Sequence, residues 1–148
     1  MNELATDIAL TLRHSELRPV YRIGVRRYRR DRVFFEDINT VNGRENLAQA
    51  VVARLLTPVG ELASLGHPEY GSRLHELIGR ENTQTTRNLI KLYILESLAL
   101  EPRIADIAAV RVAPGAAPRT RVDVELQIVS STDAQPFTVG PFSLELGS

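Results

Sequence analysis

Near residue 105 the spacing of apolar side chains changes from a helical repeat to strict alternation, and that change fixes the class of fold. On one side, Leu89, Ile90, Leu92, Tyr93, Ile94, Leu95 and Leu98 crowd a segment of about 84–100, leaving few polar positions beyond Lys91 and Glu96. A helix apolar nearly all round is expected to be central and buried. On the other side, Val122, Val124, Leu126 and Ile128 alternate with Arg121, Asp123, Glu125 and Gln127. That is the period of a half-buried strand. Segments 107–112 and 137–146 read as strands on either side of it, the last interrupted by Gly140-Pro141. Three consecutive strands with polar outer faces predict an antiparallel meander. The expected fold is therefore α+β, with central helices and a small antiparallel sheet at the end.

Other elements follow from caps and breakers. Asn42 and Glu45 have the spacing of a capping box, and Leu47, Val51 and Leu55 then recur every fourth residue. Pro58 cannot continue the ladder, so this helix spans 43–56. Thr57-Pro58-Val59-Gly60 fits a type I turn. A glycine- and proline-punctuated loop follows, and Ser72 can cap a short helix over 73–78 that Gly79 stops. Asn82 or Thr83 can cap the long helix, and Pro102 ends it. Upstream, Leu4, Ile8 and Leu12 have helical spacing, which predicts a short amphipathic helix over 3–13 or a terminal arm that docks on something. Alternation at Tyr21, Ile23 and Val25 predicts a strand or hairpin within 20–40. The chain divides into an arm (1–40), a helical core (42–104) and a strand region (105–148), all within one domain.

A chain of 148 residues, 43% hydrophobic, has the apolar material for one core. It has no cysteine, which excludes disulfides, thiolate zinc sites and a cysteine nucleophile. No apolar run approaches the ~18–20 residues of a membrane span. The formal net charge is zero, yet every basic residue but Lys91 is arginine. A coding bias gives such a preference, and so does selection for planar, bidentate ion pairing.

Several clusters could carry chemistry. Glu61, His67, Glu69, His75 and Glu76 lie together between Gly60 and Gly79. Two carboxylates across a cleft could hydrolyse a glycosidic bond, and histidines beside glutamates could ligate a metal. However, the loop holds no HExxH pattern, no phosphate loop and no nucleophile elbow, and Ser72, His67 and Glu69 match a triad by composition alone. Glu61 and Glu69 lie in a glycine- and proline-punctuated loop that offers no defined apolar pocket to raise one pKa, so they are not expected to form a catalytic pair. Residues 26–32 carry five arginines against Asp31, with Tyr28 among them and Phe34 and Phe35 following. A single-strand nucleic-acid surface would use such residues, but nucleic-acid domains are usually basic overall. A solvated strand edge or a patch for an acidic protein fits better. Finally, Pro102 pushes Glu101 toward an extended conformation. Glu101 and Arg103 would then stand side by side, aimed outward and suited to clasping a partner.

Three segments taken together resemble a known family. They run Asn46-Leu47-Ala48-Gln49-Ala50 through Arg54-Leu55-Leu56-Thr57-Pro58-Val59-Gly60-Glu61-Leu62, then Gly66-His67-Pro68-Glu69-Tyr70-Gly71-Ser72-Arg73-Leu74, then Glu101-Pro102-Arg103. In that order they are similar to the baseplate wedge family, which includes the lysozyme-like wedge subunit of T-even phage tails and its type VI secretion counterpart. The resemblance covers about residues 42–113 well and the terminal strands loosely. The connector Ala63-Ser64-Leu65-Gly66-His67 is longer than the loop usual in phage members and more similar to the form in extracellular contractile injection particles.

The resemblance implies a structural protein with no enzymatic activity, cofactor or metal. It would be assembled in the bacterial cytoplasm into a sixfold baseplate. Its expected partners are the larger baseplate wedge subunits, the sheath protein and the central spike or hub, with neither nucleic acid nor membrane bound. Glu101, Pro102 and Arg103 would contact the larger wedge subunits. The final strand, with Phe137, Val139, Phe142, Leu144 and Leu146, would be an open sheet edge that pairs with the first sheath ring and seeds sheath assembly. The alternatives are a peptidoglycan-hydrolysing tail lysozyme and a nucleic-acid-binding module.

Overall fold

A computed structural model of the chain describes the backbone of short strands within 7–41 and residues 43–147 in full. The strands are β1 (Asp7–Ile8), β2 (Leu10–Leu12), β3 (Tyr21–Ile23), β4 (Val25–Arg30), β5 (Val33–Ile38) and β6 (Thr40–Val41). They pair antiparallel as β1 with β6, β2 with β3, and β4 with β5. The hairpin expected within 20–40 is present. The helix expected over 3–13 is not: residues 7–8 and 10–12 are extended, and the others in that stretch lie outside the described residues. Ile8, Leu10 and Leu12 also alternate, and so short a helix is marginal in water unless it packs. Backbone partners at 40–41 and 21–23 decide for the strand.

Helix α1 (Gly43–Leu56) and helix α2 (Gln84–Leu98) match their expected spans closely. Asn42, half of the predicted capping box, lies outside the described residues. Thr83 caps α2, its hydroxyl accepting from the Thr86 N–H at 3.2 Å. Asn82 instead donates to the carbonyls of Arg119 and Arg121, 2.9 Å each, tying the helix start to the sheet. Leu74–Leu77 forms a 3-10 turn rather than an α-helix.

The strand region is a meander in the order β7 (Ile104–Pro114), β8 (Arg121–Ser130), β9 (Phe137–Glu145), so β9 is an edge as expected. In β8 the alternation is realised fully: Val122, Val124, Leu126 and Ile128 are buried and their neighbours face outward. Val124 pairs with Phe142 and Leu126 with Val139, so β9 carries one extra residue at Gly140-Pro141. Gly140 has φ +96°, and a Cβ there would lie 2.7 Å from the Val124 carbonyl. The bulge therefore needs glycine. The core joins this inner face to Leu47, Val51 and Leu55 of α1, Ile90, Ile94 and Leu98 of α2, and Leu74 and Leu77 between them.

Helix α2 departs from expectation in one respect. It buries one face only, leaving Leu92 55% and Leu95 42% exposed. Its apolar composition suggests cover all round. The described fold supplies it on one face, where α2 packs against β7, α1 and the 3-10 turn.

Candidate functional site

The three segments that carry the family resemblance meet at one place, beside the ends of both helices. Helix α1 stops at Leu56, where Thr57 Oγ1 donates back to the Ala53 carbonyl at 2.7 Å. The chain then doubles through the loop, and Thr57 and Val59 pair with Ser72: Ser72 N–H to Thr57 O is 2.8 Å and Val59 N–H to Ser72 O is 3.0 Å. The type I turn expected at 57–60 is accordingly shifted by one residue. Glu61 N–H donates to Pro58 O at 3.1 Å, and Gly60, with φ +92°, takes the third position as type II geometry requires.

Gly71 makes this doubling possible. Its φ is +114°, and a Cβ would collide with the Thr57 carbonyl oxygen and lie 2.9 Å from Pro58 C and Val59 N. The Gly71 carbonyl accepts from Ser97 Oγ of α2 at 2.6 Å, and Ser72 Oγ donates to the Leu55 carbonyl. Ser72 also accepts from Leu74 N–H at 3.3 Å. Its hydroxyl is thus committed to bracing the helix junction.

Beneath the loop lies a charge cluster. Glu101 is 6% exposed. Its Oε1 accepts from Arg103 Nε at 2.7 Å and from the Arg103 backbone N–H at 3.3 Å, and its Oε2 accepts from Arg103 Nη2 at 3.3 Å. Arg54 Nη2 stands 3.4 Å from the same Oε2. The Tyr70 ring covers the Arg54 guanidinium, with 4.6 Å from Cζ to the centroid. Burial pushes the Glu101 carboxyl up, but the Arg103 hydrogen bonds and the charges of Arg103 and Arg54 outweigh it and hold the group below the usual glutamate range. Burial raises the Tyr70 phenol, with Arg54 opposing.

The expected pairing of Glu101 with Arg103 is therefore present, but the expected outward aim is not. The Glu101 carboxylate is buried in the domain, where the buried Arg54 of α1 meets it. Sequence reasoning missed Arg54 in this role, although a signal existed. With Leu47, Val51 and Leu55 it occupies the i, i+4, i+7, i+8 stripe of a buried helix face, and a charge there demands a partner.

The candidate catalytic residues are dispersed among ordinary contacts. Glu76 pairs with Arg73 at 3.0 Å, and His75 Nδ1 lies 3.1 Å from the Ser72 carbonyl. Glu61 is exposed on the loop. His67 and Glu69 line an open cleft of about 300 Å³ with Arg54, Tyr70 and Leu100. No cluster of three metal-ligating side chains occurs among the described residues. The basic stretch at 26–32 lies partly on the β4–β5 hairpin, whose register sets Arg26 opposite Asp37 and Arg27 opposite Glu36.

The expected sheath-binding strand also needs correction. Val139, Leu144 and Leu146 are buried in this chain's own core, and Phe137 and Phe142 pack against it. Leu146 is held further by its N–H to Thr120 O at 2.9 Å and its carbonyl to Gly79 N–H at 2.7 Å. What β9 offers a neighbour is its backbone edge.

No protein-family model and no curated protein sequence matches this chain. A solved structure from Geobacter sulfurreducens, provisionally named a tail lysozyme, does match, with 28% identity, a TM-score of 0.57, and coverage of 68% of this chain and 90% of that one. The chain is thus similar, in sequence as well as fold, to a protein named for a phage-type tail.

Proposed function

We propose that this chain is a structural wedge component of a phage-tail-like contractile injection machine, joining the inner baseplate to the first sheath ring. The observation that carries the reading is the convergence of the Thr57–Glu61, Pro68–Ser72 and Glu101–Arg103 segments on one braced junction. Their polar groups are spent on each other: Ser72 on Leu55, Ser97 on Gly71, Glu101 on Arg103 and Arg54. Residues conscripted this way shape a rigid surface for assembly. The larger wedge subunits would dock beside Arg103 and the loop, and sheath strands would add to the β9 edge.

A peptidoglycan-cleaving role, suggested by the neighbour's provisional name, is the competing reading. Two experiments separate them. Co-expression with the larger wedge subunits should yield a complex that co-purifies, and the purified chain should leave peptidoglycan intact. Cleavage abolished by Glu61→Gln or Glu69→Gln, without any wedge complex, would overturn the proposal.

A further inference from the structure

A second, smaller cleft of about 90 Å³ opens between the loop and the end of α2. Val59 and Leu100, 40% and 54% exposed, are its apolar walls. Ser72 and Ser97 also line it, but their hydroxyls are turned to the Leu55 and Gly71 carbonyls, which leaves the interior largely apolar. The space is far below the ~300–1,000 Å³ of a small-molecule pocket and suits a single side chain.

The charges around this cleft are unbalanced. Glu69 comes from the loop and Glu96 from α2, and both are exposed. The cation in the lining is Arg73, whose guanidinium lies over the Tyr93 ring at 4.5 Å and is bonded through two nitrogens to Glu76, at 3.2 and 3.0 Å. Glu96 is left with a 3.7 Å contact to Arg73 Nη1. Glu69 makes no ion pair or side-chain hydrogen bond among the described residues. Arg54 borders the larger cleft and not this one, and Glu101 engages it there. Glu69, Glu76 and Glu96 therefore face one guanidinium, an excess of two negative charges. The apolar surface continues along α2, where the exposed Leu92 precedes Glu96 by one turn and Leu95 lies beside it.

We infer that this cleft receives an arginine side chain from another protein, its methylene stem packed between Val59 and Leu100 and its guanidinium held by Glu69 and Glu96. Arginine joins an apolar stem to a cationic tip, as the cleft joins an apolar interior to an acidic rim. Five N–H donors around the guanidinium plane can meet two carboxylates from different elements at once, whereas a lysine ammonium is a compact point charge. The same acidic excess repels the phosphates of nucleic acids and anionic lipids, which leaves a protein as the partner. Leu92 and Leu95 supply apolar contact for the residues flanking that arginine. The inference rests on the assembly reading only for which protein supplies the arginine. The cleft itself can be tested on the isolated chain.

The test is an NMR titration of the 15N-labelled full chain at low salt with N-acetyl-arginine amide, following the backbone N–H signals of Gly71, Ser97 and Leu100. Saturable movement is expected with this probe, weaker binding with N-acetyl-lysine amide, and none with N-acetyl-citrulline amide, which keeps the shape and loses the charge. The double variant Glu69→Gln/Glu96→Gln should weaken arginine binding about tenfold, each exposed ion pair being worth about threefold. No saturable movement, equal binding of the lysine or citrulline probe, or undiminished binding by the folded double variant would each overturn the inference. Self-association of the wild-type chain that the double variant abolishes would seat a second copy in the cleft and overturn the assignment to another protein. Should the double variant fail to fold, the three probes on the wild-type chain decide it. A failed titration beside an intact wedge complex would remove the cleft and leave the assembly reading, and saturable binding without any wedge complex would do the reverse.

Discussion

Arg103 Nε meets Glu101 Oε1 at 2.7 Å across a single proline, and the carboxylate it holds faces the protein interior. The two residues are therefore unequal. Glu101 serves two arginines from a buried position, while Arg103 is a quarter exposed. Removing one member of a buried pair costs about 3–5 kcal/mol, whereas a hydrogen bond to a charged group is worth about 1.5–3. Urea denaturation should find Glu101→Gln more destabilising than Arg103→Ala. The reverse order would show that the carboxylate is not the hub of the cluster.

Acid titration gives an independent view of the same cluster. The folded Glu101 carboxyl lies below its ordinary value of 4.5, so its contribution is complete above that pH. It is lost as pH falls through the lower folded value. Asp133, which accepts from the Gln135 backbone N–H and pairs with Arg44, and Glu76, paired with Arg73, are depressed as well and share the acid limb. Stability measured from pH 6 downward should fall less steeply in Glu101→Gln than in wild type below about pH 4.5. Parallel curves would contradict the assignment.

Gly71 and Gly60 both have positive φ, yet their surroundings differ. Alanine at Gly60 would meet nothing within 4 Å and should cost about 1–2 kcal/mol for its left-handed backbone alone. At Gly71 the Cβ would strike main-chain atoms of Thr57, Pro58 and Val59, which have no side-chain freedom to yield. Thermal melts should place Gly71→Ala well below Gly60→Ala, by about 2 kcal/mol or more. Similar melting points would mean that the loop is not locked where it doubles back.

The β9 edge calls for a substitution rather than a truncation. Removing the residues after Gly140 would extract Leu144 and Leu146 from the core as well as opening the edge. Thr138 is exposed on β9, and lysine on an edge strand discourages pairing. Thr138→Lys should leave the isolated domain as stable as wild type within about 0.5 kcal/mol, while blocking sheath growth on assembled baseplates. Normal sheaths with this variant would remove β9 from the assembly account.

Much of this fold could be read from the sequence, because its main elements bury one face and so carry a clear period. Val122, Val124, Leu126 and Ile128 alternate with outward-facing residues and lie in the core, and Leu47, Val51 and Leu55 mark the buried side of α1. Where the period was ambiguous the reading failed. Ile8, Leu10 and Leu12 fit two templates, and tertiary pairing chose between them. Leu92 and Leu95 look like core by composition, but composition does not tell cover by this chain from cover by another. The site was harder, since its geometry depends on contacts such as Arg54 with Glu101 and Gly71 with Ser97. Those pairs are separated by 47 and 26 residues and leave no mark on local spacing.

The most direct test of the assembly account is to delete this chain from the cells that produce it and count sheathed particles by electron microscopy. The account predicts that sheathed particles disappear and return when Glu61→Gln protein is supplied, because the role is structural. Full-length sheathed particles in cells lacking the chain would contradict it.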